Sequence, residues 1–300
     1  MPSSRKLLVV GAFIFGIIIV IGSILLIEFF DNTLKNIQTT LKVVKLPFIG
    51  ILPKVFITHG KVDIKPVYKR LFELIFREIN QNIRVSKKPK TKIISIISTR
   101  KHEGKTIVSG NLARQLKKEQ KSVVVFNYRK NYLQFKYKKK YILNKVFGYS
   151  DPRSDYNNPI LANPSTYLEN NEYLTYESKE DGFEVDKYKE FIDKTIKKSA
   201  PEYVIIEHPN LINFNYSIDL LSSSDLIILV CRSNRVWGNA DENAISSLKN
   251  DEKNKFSFLI NGSELNEVEY LLGEIKKNQS LFRKRIKNLF RLQFNSSNKI

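Results

Sequence analysis

Residues 7–27 form a run of twenty-one positions without a single charge. About twenty apolar residues, rising 1.5 Å each, are what a helix needs to cross a hydrocarbon core roughly 30 Å thick. A cleaved signal peptide would have a shorter apolar region ending at small residues, whereas this run ends at Glu28, Phe29 and Phe30. A helix that packs on the core of a soluble domain would show a polar face, which this run lacks. The run therefore predicts a transmembrane helix within residues 1–30.

The charges on either side of this run bear on its orientation. Arg5 and Lys6 precede it, and four lysines follow it, against Glu28 and Asp31. The positive-inside rule therefore favours a cytoplasmic C-terminal side only slightly. The chain has one cysteine, Cys231, which excludes an internal disulfide and agrees with a reducing compartment. We predict a single-pass membrane protein whose main domain is cytoplasmic.

Composition limits what the remainder of the chain can be. Hydrophobic residues make up 42% of the 300 positions, which is enough for a folded core. The net charge of +20 suits an anionic neighbour such as a lipid surface, a nucleotide or an acidic polymer. Three histidines and one cysteine argue against a structural zinc site. For a membrane-bound chain we expect acidic headgroups rather than nucleic acid to meet the basic, aromatic-rich stretch at 129–145, unless it is a solvated surface.

Beyond the apolar run, strand-length apolar segments alternate with helical patterns. The segments of strand length are 93–97, 123–126, 203–206, 226–230 and 256–260. The segments with helical periodicity are 67–85, 104–119, 184–198, 240–248 and 265–277. Nearly continuous apolar strands alternating with helices are typical of a parallel sheet covered on both faces. The pattern predicts an α/β domain over residues 70–278 with a mostly parallel sheet.

Three other segments differ from this alternation. Residues 31–69 read as a juxtamembrane connector, in which 46–53 is bracketed by prolines and is expected to be extended. Residues 148–183 are polar and contain three X-Pro pairs, which predicts a long loop region. Residues 279–300 predict a basic amphipathic helix, suited to a membrane surface or a partner groove, or else to packing on the core.

A phosphate-binding motif follows the first of the predicted sheet-domain strands. Gly104, Lys105 and Thr106 stand between that strand and a helix, where backbone N–H groups can bind phosphate oxygens. In such a loop the lysine reaches the β- and γ-phosphates and the hydroxyl binds Mg²⁺. The full pattern has a glycine where this chain has Thr99. We therefore keep two interpretations open: a site for ATP or ADP with Mg²⁺, and a loop that no longer binds a nucleotide.

Five short motifs occur in a fixed order along the chain. They read L-P-F-I-G-I-L-P at 46–53, L-I-F-R-E-I-N-Q-N at 74–82, H-E-G-K-T at 102–106 with N-L-A at 111–113, P-E-Y-V-I-I-E-H-P-N at 201–210, and D-L-I-I-L-V-C-R at 225–232 with N-G at 261–262. In this order they resemble the C-terminal part of bacterial tyrosine kinases (BY-kinases) of the polysaccharide co-polymerase, or chain-length determinant, type. The resemblance covers roughly residues 1–265.

The resemblance implies a P-loop NTPase-like domain in the bacterial inner membrane, serving polysaccharide export or chain-length control. It places Glu207 at the Walker B aspartate, beside Thr106 at the Mg²⁺ site. It also implies oligomers or complexes with other envelope subunits, including a separate periplasmic co-polymerase chain. The family's residues for oligomer contacts are reduced here to Arg77, and residues 280–300 hold no tyrosine for autophosphorylation.

Two departures from the family pattern concern the chemistry. His102 replaces a loop glycine, and Asn127 replaces an aspartate that in the family binds Mg²⁺ and activates the attacking hydroxyl. An amide is not a general base at neutral pH. We therefore expect no catalytic residues, with Lys105, Glu207 and Asn127 as vestiges of a kinase site. This predicts a pseudokinase-like scaffold or regulator.

Two alternatives remain open at this stage. One is a structural adaptor of another envelope complex, for secretion or motility, that docks through residues 67–85 and 281–294. The other is an active membrane-bound ATPase or tyrosine kinase that relies on Lys105, Thr106 and Glu207 alone. The missing acid at Asn127 argues against the second alternative.

Overall fold

A computed structural model describes residues 4–29, 33–54, 64–84, 91–130, 168–169, 172–178, 184–249, 255–273 and 275. The predicted C-terminal helix at 279–300 lies outside these residues. So do all of the basic stretch beyond residue 130 and most of the region at 148–183.

The uncharged run is part of a single helix, α1 (Ser4–Phe29). Its span Leu8–Leu26 has a mean hydropathy of 2.9, and none of that span is buried against the described part of the chain. By length and composition this helix can cross a membrane. The absence of burial along this span distinguishes it from the core helix of a soluble domain.

The predicted connector contributes two regular elements. Helix α2 (Ile37–Val44) has Asn36 as its N-cap, and the Asn36 side chain accepts a hydrogen bond from the Thr39 N–H at 3.1 Å. It ends at Lys45, which has a positive φ of 52°. Strand β1 (Phe48–Pro53) follows, so the extended conformation predicted for 46–53 is confirmed over the strand, whereas α2 was not expected.

The described strands form one seven-stranded sheet in the order β1-β7-β6-β2-β5-β3-β4, and every neighbouring pair is parallel. The other strands are β2 (Lys92–Ser98), β3 (Val123–Lys130), β4 (Tyr173–Ser178), β5 (Tyr203–Asn210), β6 (Leu226–Arg232) and β7 (Phe256–Ser263). The other helices are α3 (Ile64–Arg84), α4 (Lys105–Lys118), α5 (Val185–Ser199), α6 (Ile218–Ser222), α7 (Asn239–Lys249) and α8 (Leu265–Leu272). The predicted α/β class with a parallel sheet is confirmed.

Helices cover both faces of this sheet. Along β6, Leu226, Ile228 and Val230 pack into one cluster with α3 and α4. The alternate residues of β6 pack into a second cluster, on the other face, with α2, α7 and α8. A third cluster on that second face joins β3 and β5 to α5 and α6. Since successive side chains of a strand point to opposite faces, burial on both sides explains the continuous apolar runs of the sequence.

Two predictions need correction, and one short helix was not predicted. The region expected to be a long loop contains β4, which pairs with β3 from Tyr173 to Ser178; its β-branched and aromatic residues were outweighed by the polar, proline-rich surroundings. The last helix ends at Leu272 rather than 277, because Gly273 takes a φ of 80°. The one-turn helix α6, capped by Ser217, was not expected.

Candidate nucleotide site

The candidate site lies where several parallel strands end. Because the strands are parallel, the carboxyl ends of β2, β5, β6 and β7 lie on the same edge of the sheet, where ligands of open α/β folds bind. The loop after β2 runs along this edge into α4. It is joined to the turn after β5, since Leu211 N–H donates to Ser98 O at 2.9 Å and Ile212 N–H donates to Thr99 O at 3.2 Å.

Two residues of this loop have left-handed backbone conformations. Gly104 has a φ of 103°, and a Cβ there would lie 2.0 Å from the amide nitrogen of Asn261. That amide donates to Glu103 O at 2.8 Å. His102 has a φ of 61°, a conformation that glycine adopts without strain and other residues adopt at a cost of about 1–3 kcal/mol. The histidine therefore occupies a position whose backbone favours the glycine of the family pattern.

Gly104, Lys105 and Thr106 stand together at the start of α4, as the sequence predicts. The first turn closes on Gly104 O, which accepts from Ile107 N–H at 3.1 Å and Val108 N–H at 3.2 Å. The earlier N–H groups of such a turn have no partner within the helix and point to where an anion would bind. The Lys105 ammonium group donates to Ser98 Oγ at 2.8 Å. Burial lowers the pKa of Lys105, while the charges of Glu207 and Glu103 oppose this shift.

The predicted magnesium ligands are also adjacent. Thr106 Oγ1 donates to Glu207 Oε2 at 2.9 Å, and the Ser109 hydroxyl donates to the other oxygen of the same carboxylate. A hydroxyl and a carboxylate are oxygen ligands of the kind that Mg²⁺ takes, so these residues fit the ion. Ser109 was missed by sequence reasoning, although its place three residues after Thr106 sets it on the same helix face. The described residues contain no cluster of three or more histidine, cysteine or acidic side chains suited to a metal.

Asn127 lies near the end of β3, close to the edge strand. Its side-chain nitrogen donates to the Tyr173 hydroxyl at 2.5 Å, and the residue is buried. The amide thus has a structural partner in β4. A neutral amide in this arrangement provides neither a general base nor an anionic Mg²⁺ ligand.

An ionic cluster lies beside the loop and was not predicted. We call it the Arg235 cluster, and its members are Thr99, Arg100, Glu103, Arg235 and Asp241. Arg235 Nε lies 2.8 Å from Glu103 Oε1, and Arg235 Nη1 lies 2.9 Å from Asp241 Oδ1. Arg100 Nη2 lies 2.9 Å from the second oxygen of Asp241. The side chains of Glu103, Asp241 and Arg235 are 2%, 0% and 10% exposed.

Burial and pairing act differently on the two carboxyl groups of this cluster. Burial raises the pKa of Glu103, and the charge of Arg235 opposes that effect. Burial also acts to raise the pKa of Asp241, but hydrogen bonds from Thr99 and the Gly238 N–H, with the charge of Arg235, lower it overall. The cluster therefore holds a buried arginine against two carboxyl groups from separate parts of the chain.

Thr99 has a structural task in this cluster. Its hydroxyl donates to Asp241 Oδ1 at 2.5 Å and accepts from Arg235 Nη2 at 2.8 Å. A glycine, as in the full phosphate-loop pattern, would leave both groups without this partner. The replacement of glycine thus fixes the loop to the segment after β6.

Replacing Gly104 with alanine should destabilise the protein by about 2–4 kcal/mol, because the new Cβ would meet Asn261 in a backbone conformation that suits only glycine. Adding Asn261→Ala should recover part of this loss by removing the clash but not the backbone strain. Gly238→Ala is the control, since its nearest neighbour would be 4.0 Å away. Urea unfolding measures the stability of the three variants. Equal stability of Gly104→Ala and Gly238→Ala would contradict the predicted clash.

No family model matches the sequence, and no curated protein does. Among solved structures, the chain is similar to the kinase domain of Escherichia coli tyrosine kinase ETK, at 15% identity and a TM-score of 0.42 over 75% of this chain and 93% of that one. It is similar to the BceF tyrosine kinase domain, at 12% identity and a TM-score of 0.46, over 77% of this chain and 99% of that one. It is also similar to the MinD cell division protein of Aquifex aeolicus, at 16% identity and a TM-score of 0.39, over 64% of this chain and 76% of that one. By its own parallel sheet and its Gly-Lys-Thr loop between β2 and α4, the chain has an α/β fold of the P-loop NTPase-like class.

Proposed function

We propose that this chain is a membrane-anchored P-loop domain without phosphoryl-transfer activity, acting as a scaffold or regulator in polysaccharide export or chain-length control. The observation that carries the loss of activity is the pairing of Asn127 with Tyr173. Phosphoryl transfer depends on positioning and on charge stabilisation, with an acid that orients or activates the nucleophile. At the position where the family has that acid, this chain has an amide that is hydrogen-bonded to its own β4.

The second acidic position supports the same proposal. Both oxygens of Glu207 accept hydrogen bonds from hydroxyl groups of α4, and the residue is 3% exposed. A carboxylate used in this way fixes the start of α4 to the end of β5. It is suited to hold Thr106 in place for Mg²⁺, and it is poorly placed to accept a proton from a substrate.

The proposed cellular setting rests on α1 and on the motif order. With α1 in the inner membrane, the P-loop domain stands on the cytoplasmic side, where nucleotides are present. The resemblance of the five motifs is the basis for the polysaccharide process and for partners among envelope subunits, including a separate periplasmic chain. We expect the chain to work in an oligomer or a mixed complex.

A nucleotide-responsive scaffold is the form of this function that the site favours. Gly104, Lys105 and Thr106 keep the arrangement of a phosphate site, with Glu207 beside the hydroxyl. Calorimetric titration of ATP and ADP with Mg²⁺ into the full chain in lipid nanodiscs tests it, with Lys105→Ala as the control. Binding lost in the control, without phosphate release or phosphotyrosine, would support the proposal. Turnover that depends on Lys105 would show an active enzyme instead.

Replacing His102 with glycine should increase nucleotide affinity about tenfold, because the loop could then approach the phosphates without the imidazole. It should also stabilise the unliganded protein by about 1 kcal/mol, since the left-handed strain is released. His102→Ala separates the two effects, because alanine removes the ring but keeps the strain. Calorimetry and urea unfolding measure both quantities. Unchanged nucleotide affinity in both variants would show that the imidazole does not hinder the approach of the phosphates.

A further inference from the structure

The chain joins the folded domain only a few residues after α1. Helix α1 ends at Phe29, and Thr33 already forms a bridge with Val236. Leu34 N–H donates to Arg235 O at 2.9 Å. Three residues separate Phe29 from Thr33, so the two Cα atoms are at most about 14 Å apart. Once α1 spans a bilayer, the part of the domain around Thr33 and Val236 is held at the headgroup region.

Exposed apolar side chains concentrate on the same part of the domain. Outside α1, the described residues have six large apolar side chains that are at least 39% exposed. Four of them lie on α2, on the turn before α7, and on α8, and these are Val43, Val236, Tyr270 and Leu271. Helices α2 and α8 are in contact, since the Ile37 N–H donates to Glu267 Oε2 at 3.1 Å and Gln38 Nε2 donates to the Tyr270 hydroxyl at 3.4 Å. Such a concentration of exposed apolar residues is typical of an interaction surface.

The outward side of α2 also carries positive charge. The helix buries Ile37, Thr40 and Val44, so Lys42 and Val43 face away from the core, and Lys45 is exposed at the C-cap. Near an anionic lipid surface each lysine strengthens binding by about fivefold. An apolar side chain between lysines, such as Val43, suits the boundary between headgroups and acyl chains.

We propose that this face, formed by Lys42, Val43, Lys45, Val236, Tyr270 and Leu271, docks on the headgroups of an anionic bilayer. The inference rests on the proposed function insofar as that function places α1 in the membrane. The short connection brings the face to the lipid, the four apolar side chains enter the interface, and the two lysines bind lipid phosphates. The P-loop domain is then held in one orientation against the membrane instead of rotating freely about its connection.

The chain contains its own reporter for this contact, because Trp237 is the only tryptophan and follows Val236 directly. The full chain is placed in nanodiscs of phosphatidylcholine, or of the same lipid with one third phosphatidylglycerol. Both sets include a lipid with a spin label on the headgroup, which quenches tryptophan emission at short range. We expect stronger quenching of Trp237 in the anionic discs. The double variant Lys42→Glu, Lys45→Glu should reduce it to the level of the neutral discs.

The matched control is the double variant Lys197→Glu, Lys198→Glu. These lysines lie in the last turn of α5, so the charge change and its position at a helix C-terminus match those of the first variant. The control should keep the quenching of the unaltered chain. Quenching that is equal in both lipids, or equally reduced by both variants, would overturn the proposed surface. Release of the chain from membranes by alkaline carbonate would overturn the anchor itself, and the surface with it.

Discussion

Replacing Arg235 with methionine is expected to lower the free energy of unfolding by about 3–5 kcal/mol, since removing one partner of a buried ion pair leaves its counter-charges uncompensated. Glu103 and Asp241 are almost completely buried, and each lies within 3 Å of the Arg235 guanidinium group. Arg235 also donates to Thr99, so the loop before α4 would lose one of its attachments. Methionine keeps much of the side-chain volume, which limits the effect to charge and hydrogen bonding.

Arg232→Met is the matched control, because Arg232 is an exposed arginine three positions earlier and only its backbone N–H contacts Glu103. It should change stability by less than about 0.5 kcal/mol. Pulse proteolysis of the full chain in urea measures both variants. Adding Glu103→Gln and Asp241→Asn to Arg235→Met should restore much of the loss, since no buried charge is then left alone. A cost below about 1 kcal/mol for Arg235→Met would show that water reaches the cluster.

The protein should also lose stability in mild acid because of His208. The imidazole is buried, and its Nε2 lies 3.0 Å from Ser95 Oγ. Ser224 Oγ donates to Leu220 O at 2.8 Å, so the 2.7 Å contact between the two serines has Ser95 as the donor. Ser95 Oγ is then left to accept from His208 Nε2–H, which assigns the neutral tautomer. Burial, with a smaller effect of the Lys105 charge, lowers the pKa of His208 to about 3.

The direction of the pH effect follows from proton uptake. An unfolded histidine binds a proton below a pH of about 6.5, whereas the native imidazole stays neutral down to about 3. Stability from this residue is therefore complete above pH 6.5 and falls as the pH drops towards 3, by roughly 4–5 kcal/mol in total. Urea unfolding between these limits should show this slope for the unaltered chain and for the exposed-loop control His102→Gln. His208→Gln should flatten the slope, and an unchanged slope in that variant would contradict the assignment.

The sequence was sufficient for the central strands and the helices between them. Buried parallel strands such as β6 have apolar residues at nearly every position, and this pattern is local and unambiguous. Edge strands are different. β4 is only half-buried, so its sequence lacks the continuous apolar run that identifies the buried strands. Helix α2 is short, and its two turns depend on packing against α8 rather than on intrinsic propensity.

In the candidate site too, the residues that are close in sequence were predictable and those that are distant in sequence were not. Gly104, Lys105 and Thr106 are consecutive, and their position after a strand predicts their proximity without any knowledge of distant residues. The proximity of Glu207 to Thr106 was predicted only through the motif order. The Arg235 cluster joins residues more than 130 positions apart, and no local pattern signals which buried carboxyl group will meet which arginine. For the same reason, the sequence shows only that Thr99 replaces the glycine of the phosphate-loop pattern. The structure shows that its hydroxyl has two hydrogen-bond partners, Asp241 and Arg235.

The pairing of β1 with β7 makes the first residues after α2 the outermost strand of the sheet. A chain that lacked residues 1–54 would therefore lose more than α1. Such a chain would lack the strand that covers β7 and would present an unpaired parallel edge, together with apolar surface that Ile51 and Leu52 cover in the complete domain. Such an edge recruits strands from other molecules. A chain shortened in this way should therefore self-associate rather than remain a monomer.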